Sequence, residues 1–149
     1  MDIAGFTKEG NWYKGNIHCH TTNSDGCLTP EEVVKIYKDQ GYSFLAISDH
    51  DLYSDYRKEL DSPEFILLPA IEATAVLYKD REKTERLCLH HIHGILGTEE
   101  MERNAKKGTF SHLEKYPPRE YYGTWDGGKV GQELQQDLED HGCITVYNH

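Results

Sequence analysis

Apolar and polar positions repeat along the first fifty residues with two different periods. Residues 15–20 alternate with the two-residue period of a short strand. A polar turn over 21–26 follows. Val33, Val34, Ile36 and Tyr37 then recur at helical spacing. Thr29 is a good N-cap for that helix, Pro30 suits its first position, and Glu32 completes a capping box with Thr29. Glu31 and Glu32 complement the helix dipole, and Gly41 is a natural stop. Residues 44–48 read as a buried strand.

Further along, residues 53–61 suggest a short helix. Residues 65–71 form an apolar run with strand character, weakened at its far end by Pro69. The charged stretch 79–86 reads as a solvated linker, and 87–96 as a fourth strand carrying three His. The Tyr-, Pro- and Gly-rich stretch 108–131 is predicted as a long loop or lid. Residues 132–141 form a helix with Leu134 and Leu138 on one face, and 143–147 a last strand. Strands alternating with helices predict an α/β fold with a parallel sheet, in which ligands gather beyond the carboxyl ends of the strands.

The chain has 149 residues, a length that fits a single domain. Its formal charge of −10 provides no basic stripe for tracking a nucleic-acid backbone or an anionic membrane. No nucleic-acid or membrane partner is therefore expected. The first sixteen residues lack the apolar core of a signal peptide, and the four scattered Cys form neither a disulfide framework nor a zinc ribbon. A reduced, cytoplasmic setting is the simplest expectation.

Placed on this map, the nine His gain meaning. His18 and His20 are two apart on one strand, so both face the same way and can share an ion. Asp25 lies in the following turn, Asp49-His50-Asp51 after the second strand, Glu72 after the third, His91 and His93 on the fourth, and His149 after the fifth. One His-x-His pair is a weak signal. Five successive strand ends bearing ligand-type residues are a strong one. Nitrogen and carboxylate ligands without thiolate suit zinc, manganese or iron in a hydrolytic site. Asp25 also reads as ordinary turn chemistry, and Glu72 as a strand end in need of a partner. Asp49 and Asp51 are expected behind the ligands, bonding imidazoles and setting their tautomers. His90 points the other way and reads as structural, Cys19 as a packing residue, and His112 and His141 carry no assigned chemistry. Arg57 and Lys58 are weak candidates for a phosphate clamp. Tyr116, Tyr121, Tyr122 and Trp125 could stack on a base or sugar, or simply pack their loop down.

The run from Trp12 to Asp51 resembles the opening of the PHP (polymerase and histidinol phosphatase) domain family. His18, His20 and Asp25 match its His-x-His and Ser-Asp-Gly motif. Asp49 and His50 match its second motif, Glu72 in Ile-Glu-Ala-Thr its third, and Asn148-His149 the start of its fourth. Its later His falls in His-His-Ile-His-Gly, where His91 fits best and His93 is the alternative. The resemblance implies a distorted (β/α)7 barrel with two or three divalent ions. It also implies hydrolysis of a phosphoester, on a small phosphorylated substrate, with a metal-activated water as the nucleophile. By the same resemblance His18, His20 and Glu72 hold one ion, Glu72, His91 and His149 a second, and Asp25 and His50 a third. The family's closing Asp-x-His has no match before His149, so the barrel is expected to be incomplete at its C-terminus. An open edge of this kind predicts self-association. Two other readings stand beside the phosphoesterase: a non-catalytic or partner-completed metal-binding module, and an amidohydrolase-type hydrolase.

Overall fold

The computed structural model describes residues 10–149. Most of the segment read for a leader pattern therefore lies outside the described residues. Local signals work best in the first helix, α1 (Pro30–Asp39). Thr29 caps it, and the reciprocal bonds of a capping box with Glu32 are both present. Val33 and Val34 press against β2 (Phe44–Ile47), forming a small core with Leu45, Ile47, Phe65 and Leu67. Gly41 follows in a left-handed conformation at φ 75°.

The first strand is shorter than expected. β1 covers only Gly15–Asn16, and His18 to His20 continue as an irregular segment, held where the Ser48 amide donates to the Cys19 carbonyl. After β2, the chain forms β3 (Leu52–Tyr53) and one helical turn, α2 (Arg57–Leu60), in place of a helix over 53–61.

β4 runs from Ile66 to Tyr78, straight through Pro69. It can do so because it changes partners along its length. Residues 66–69 lie parallel to β2, and Ala70 to Tyr78 pair with β5 (Arg86–Leu96). Pro69 sits at the seam, where one lost donor costs one ladder bond and does not stop the strand. The link from β4 to β5 is a tight polar turn, closed by the Lys79 amide on the Glu85 carbonyl at 2.9 Å. β4 and β5 are therefore an antiparallel hairpin, which corrects the all-parallel expectation. The stretch 79–86 has no apolar face to hold a crossover helix.

The sheet is mixed. Its order is β1-β2-β4-β5-β8, with β8 spanning Cys143–Tyr147, antiparallel to β5. α3 (Glu99–Arg103) follows β5. The predicted loop over 108–131 is largely ordered. β6 (Glu114–Lys115) pairs with β3, and β7 (Arg119–Tyr122) lies parallel to the end of β4. α4 (Gly127–Asp140) starts earlier than its glycines suggested, because Asp126 caps it and Val130 is fully buried. Val130, Leu134 and Leu138 cover Ile71, Ala73, Ala75 and Leu77 of β4. Each buried Val, Leu or Ile among them contributes about 1.5–3 kcal/mol. With that face of β4 committed to the core, Glu72 and Thr74 must face the opposite way.

Candidate metal centre

Glu72 organises the opposite face. It lies within β4 rather than at a strand end, and it is 1% exposed. In the β4–β5 ladder Glu72 stands opposite His93, and Thr74 opposite His91. Residues paired across antiparallel strands share a face, so both His join Glu72. An isolated bridge sets His50 alongside Glu72 from the other side. The irregular segment after β1 brings His18 and His20 over the same carboxylate.

The distances are short. Glu72 Oε2 lies 2.9 Å from His20 Nε2, 3.2 Å from His50 Nδ1 and 3.7 Å from His18 Nε2. Its Oε1 accepts from Asn148 Nδ2 at 2.6 Å and lies 3.9 Å from His91 Nδ1. Asp25 adds a second carboxylate, with Oδ1 2.7 Å from His20 Nδ1 and Oδ2 3.7 Å from His50 Nε2. His149 reaches His91, Nε2 to Nδ1 at 3.0 Å. Three overlapping groups could each hold a metal ion: His18, His20 and Glu72; His20, Asp25 and His50; His50, Glu72 and His91. His149 and His93 border these groups without belonging to one.

The donors fit a divalent cation. His20 Nε2, His50 Nδ1 and His93 Nε2 are buried without a hydrogen-bond partner. The first two lie close to Glu72 Oε2 but are poorly aligned for a hydrogen bond. Buried polar atoms are nearly always paired, so imidazole nitrogens left unpaired around a carboxylate are donors arranged for something else. No thiolate joins them, which favours a metal of borderline or hard character.

Electrostatics point the same way. Burial pushes Glu72 up, but the Asn148 hydrogen bond and the imidazoles of His18, His50 and His20 outweigh it, leaving the carboxyl below its ordinary value. The hydrogen bond from His20 holds Asp25 low. Burial lowers His18 and His91, and drives His93 down to about 4. The shifted imidazoles therefore favour their neutral, lone-pair form.

Asp49 and Asp51 support the site differently from what was expected. Neither carboxylate bonds an imidazole. Asp49, fully buried, accepts from the Thr21 amide at 2.7 Å, its hydroxyl at 2.8 Å and the Ser24 hydroxyl at 2.7 Å. It thereby fixes the turn that carries Asp25. Gly26 closes that turn, and a Cβ there would lie 2.5 Å from the His20 carbonyl oxygen. Asp51 accepts from the amide of Thr74 at 2.8 Å and its hydroxyl at 3.0 Å, tying the β2 exit to β4. Burial raises the Asp51 carboxyl.

The remaining candidates lie elsewhere. Arg57 is engaged by Asp55 through Nε at 2.9 Å and Nη2 at 2.7 Å. His90 faces α4, with Nε2 2.7 Å from the Gly127 carbonyl. His112 accepts from the Asp55 amide, and His141 stacks on Phe110. Cys19 packs against the α1 core. Tyr116 and Tyr121 pack against the α4 core, Tyr122 stacks on Tyr78, and Trp125 meets Tyr121 edge to face.

Sequence reasoning placed Asn148 in a motif with His149 but gave it no role; its amide touches both Glu72 and, at 3.2 Å, His18 Nδ1. Its place beside His149 was the available signal. Thr21 and Ser24 were also missed, since hydroxyls in a turn are too common to stand out.

No protein-family model matches the chain. Part of it is similar to the 5'-3' exoribonuclease Rnm of Escherichia coli, 38% identical over 66 residues that make up 41% of this chain and 22% of that protein. A shorter part is similar to a 5'-3' exoribonuclease of Haemophilus influenzae, 50% identical over 38 residues, 26% of this chain and 14% of that protein. The chain thus spans under a quarter of the length of either relative. Among the described residues, no helix is long and apolar enough to cross a membrane.

Proposed function

We propose that this chain carries the metal centre of a metal-dependent phosphoester hydrolase of the PHP type, part of a distorted (β/α)7 barrel. The observation that carries the reading is the buried Glu72 carboxylate, ringed by imidazole nitrogens that lack hydrogen bonds. His18, His20 and Glu72 would hold one ion, Glu72 and His91 a second, and Asp25 and His50 a third, so that each neutral imidazole gives its one lone pair to one ion. His149, beside His91, is positioned to extend the second group. Zinc, manganese and iron all suit these donors. In such a site divalent ions supply a nucleophile at neutral pH and neutralise charge building on phosphoryl oxygens.

The chain's own residues do the positioning. Glu72 is common to two groups and holds them at a fixed spacing. Asn148 donates to one of its oxygens and leaves the other to the imidazoles. Asp49 locks the turn behind Asp25. Asp51 and Thr74 fix the register between His50 and β4.

The overall charge of −10 bears little on a substrate that meets only this site, where the ions dominate the local field. A small phosphorylated compound needs no basic track and suits the acidic surface. The named activity of the two relatives supports a second substrate reading, the terminal phosphodiester of an RNA strand, which also asks for contact at one end only.

The test is hydrolysis of small phosphomonoesters and of a short 5'-phosphorylated RNA by protein loaded with manganese or zinc. Turnover of either class that disappears with chelator and in Glu72→Gln is the expected result. Bound metal with no turnover of either class would favour a metal-binding module. Turnover of amides or cyclic amides alone would favour the amidohydrolase-type reading.

A further inference from the structure

We infer that His93 is a fourth protein ligand for the ion held by His18, His20 and Glu72. The inference rests on the metal-centre reading above and goes beyond it: His93 stands outside the group His18, His20 and Glu72, so a bound ion would have to draw its Nε2 in toward them.

Four observations converge. His93 is 1% exposed, yet its Nε2 has no hydrogen-bond partner. A buried imidazole nitrogen of this kind is costly unless something bonds it. His93 stands directly opposite Glu72 in the β4–β5 ladder, so it shares the face that carries the cluster. Its ring lies 4.9 Å from that of His18, edge to face, and so beside the His18 end of the cluster rather than the His91 end. A cavity of about 400 Å³ reaches this corner, lined in part by His18, His93 and Asn148. A core His with a purely structural role would bond a neighbouring backbone group, as His90 does on the other face through Gly127.

Four protein ligands would change what that ion can do. Sites with four are closed and structural, whereas sites with three keep a position open for substrate. The ion beside His93 would then be the tight, slowly exchanging one. Its task would be to fix Glu72 and the His18–His20 segment. The positions around His50, Asp25 and His91 would stay open for chemistry.

The experiment is a zinc titration of the metal-free protein labelled with ¹⁵N-histidine, alongside chelator competition on wild type, His93→Gln and His93→Leu. The first equivalent of zinc should move the His93 Nε2 resonance together with those of His18 and His20. The tightest affinity should fall by about tenfold or more in both variants. If His18 and His20 shift while His93 does not, or if both variants bind as tightly as wild type, His93 is not a ligand and the rest of the centre stands. If wild type binds no zinc, the metal centre itself falls. Should the variants fail to fold, the wild-type resonances alone give the answer.

Discussion

Two buried carboxylates, Glu72 on one face of β4 and Asp137 on the helix that covers the other, solve burial in opposite ways. Asp137 on α4 is 5% exposed and receives three donors, Lys107, the Tyr116 hydroxyl and Arg119. Burial pushes its pKa up, but these donors outweigh it and bring it down to about 2. Every partner has a hydrogen to give, and the cluster is complete. Glu72 is as deeply buried but has a single hydrogen-bond donor, Asn148. Its two nearest other neighbours are the imidazoles of His20 and His50, whose inward nitrogens remain unbonded. A polar cluster that satisfies itself is a structural device. One made of lone pairs around an anion is a site that anticipates a cation. The two already differ in sequence, since Glu72 follows an apolar run whereas Asp137 lies among the polar residues Gln135, Gln136, Glu139 and Asp140.

The contrast breaks first on function. Glu72→Gln should lower bound divalent metal to near background and reduce metal-dependent hydrolysis at least about a hundredfold, about 3 kcal/mol of barrier. Asp137→Asn should leave metal content per folded chain unchanged. Elemental analysis and initial rates check both. Equal metal loss in the two variants would erase the distinction.

Ion binding should next appear in stability. At a hundredfold excess over its Kd, a divalent ion should stabilise the wild-type fold by about 3 kcal/mol and do little for Glu72→Gln. Denaturant unfolding with and without the ion reads this directly.

Asp137 acts on stability without any ion. Asp137→Asn should destabilise the metal-free protein by about 2 kcal/mol, because Lys107 and Arg119 lose their buried partner. The pH dependence follows from the same pair of charges. Its folded pKa, about 2, lies below the ordinary 3.8, so its contribution is present above 3.8 and is lost as pH falls through about 2. Acid unfolding of the metal-free protein should thus steepen across that window, and Asp137→Asn should flatten it. The smallest effect belongs to the α1 cap, where Thr29→Ala should cost about 1 kcal/mol and leave metal affinity untouched.

How much of this was legible depends on range. α1 could be read because its signals lie within four residues of one another, from Thr29 to Glu32. The gathering of His18, His20, Asp25, His50, Glu72 and His91 could be anticipated because those types stood near the ends of apolar runs, although His18 and His20 meet Glu72 from an irregular segment and not from the strand their spacing suggested. The β4–β5 hairpin was not legible as such. Pro69 argued for an early end, and only β5 supplies the partner that carries the strand to Tyr78. The order within 108–131 was hidden for the same reason, since β6 and β7 are two- and four-residue strands defined by distant partners. Asn148 could be placed in a motif but its role could not be read, because an amide acquires it only when Glu72 arrives, seventy-six positions away in sequence.

Most direct is the metal content of the purified chain after dialysis against micromolar manganese and zinc, compared with the His18→Ala/His20→Ala double variant. Wild type should retain more than one divalent ion per chain, and the double variant should lose most of it while keeping its fold by circular dichroism. Wild type without bound metal, or a folded double variant with undiminished content, would contradict a metal centre built on Glu72.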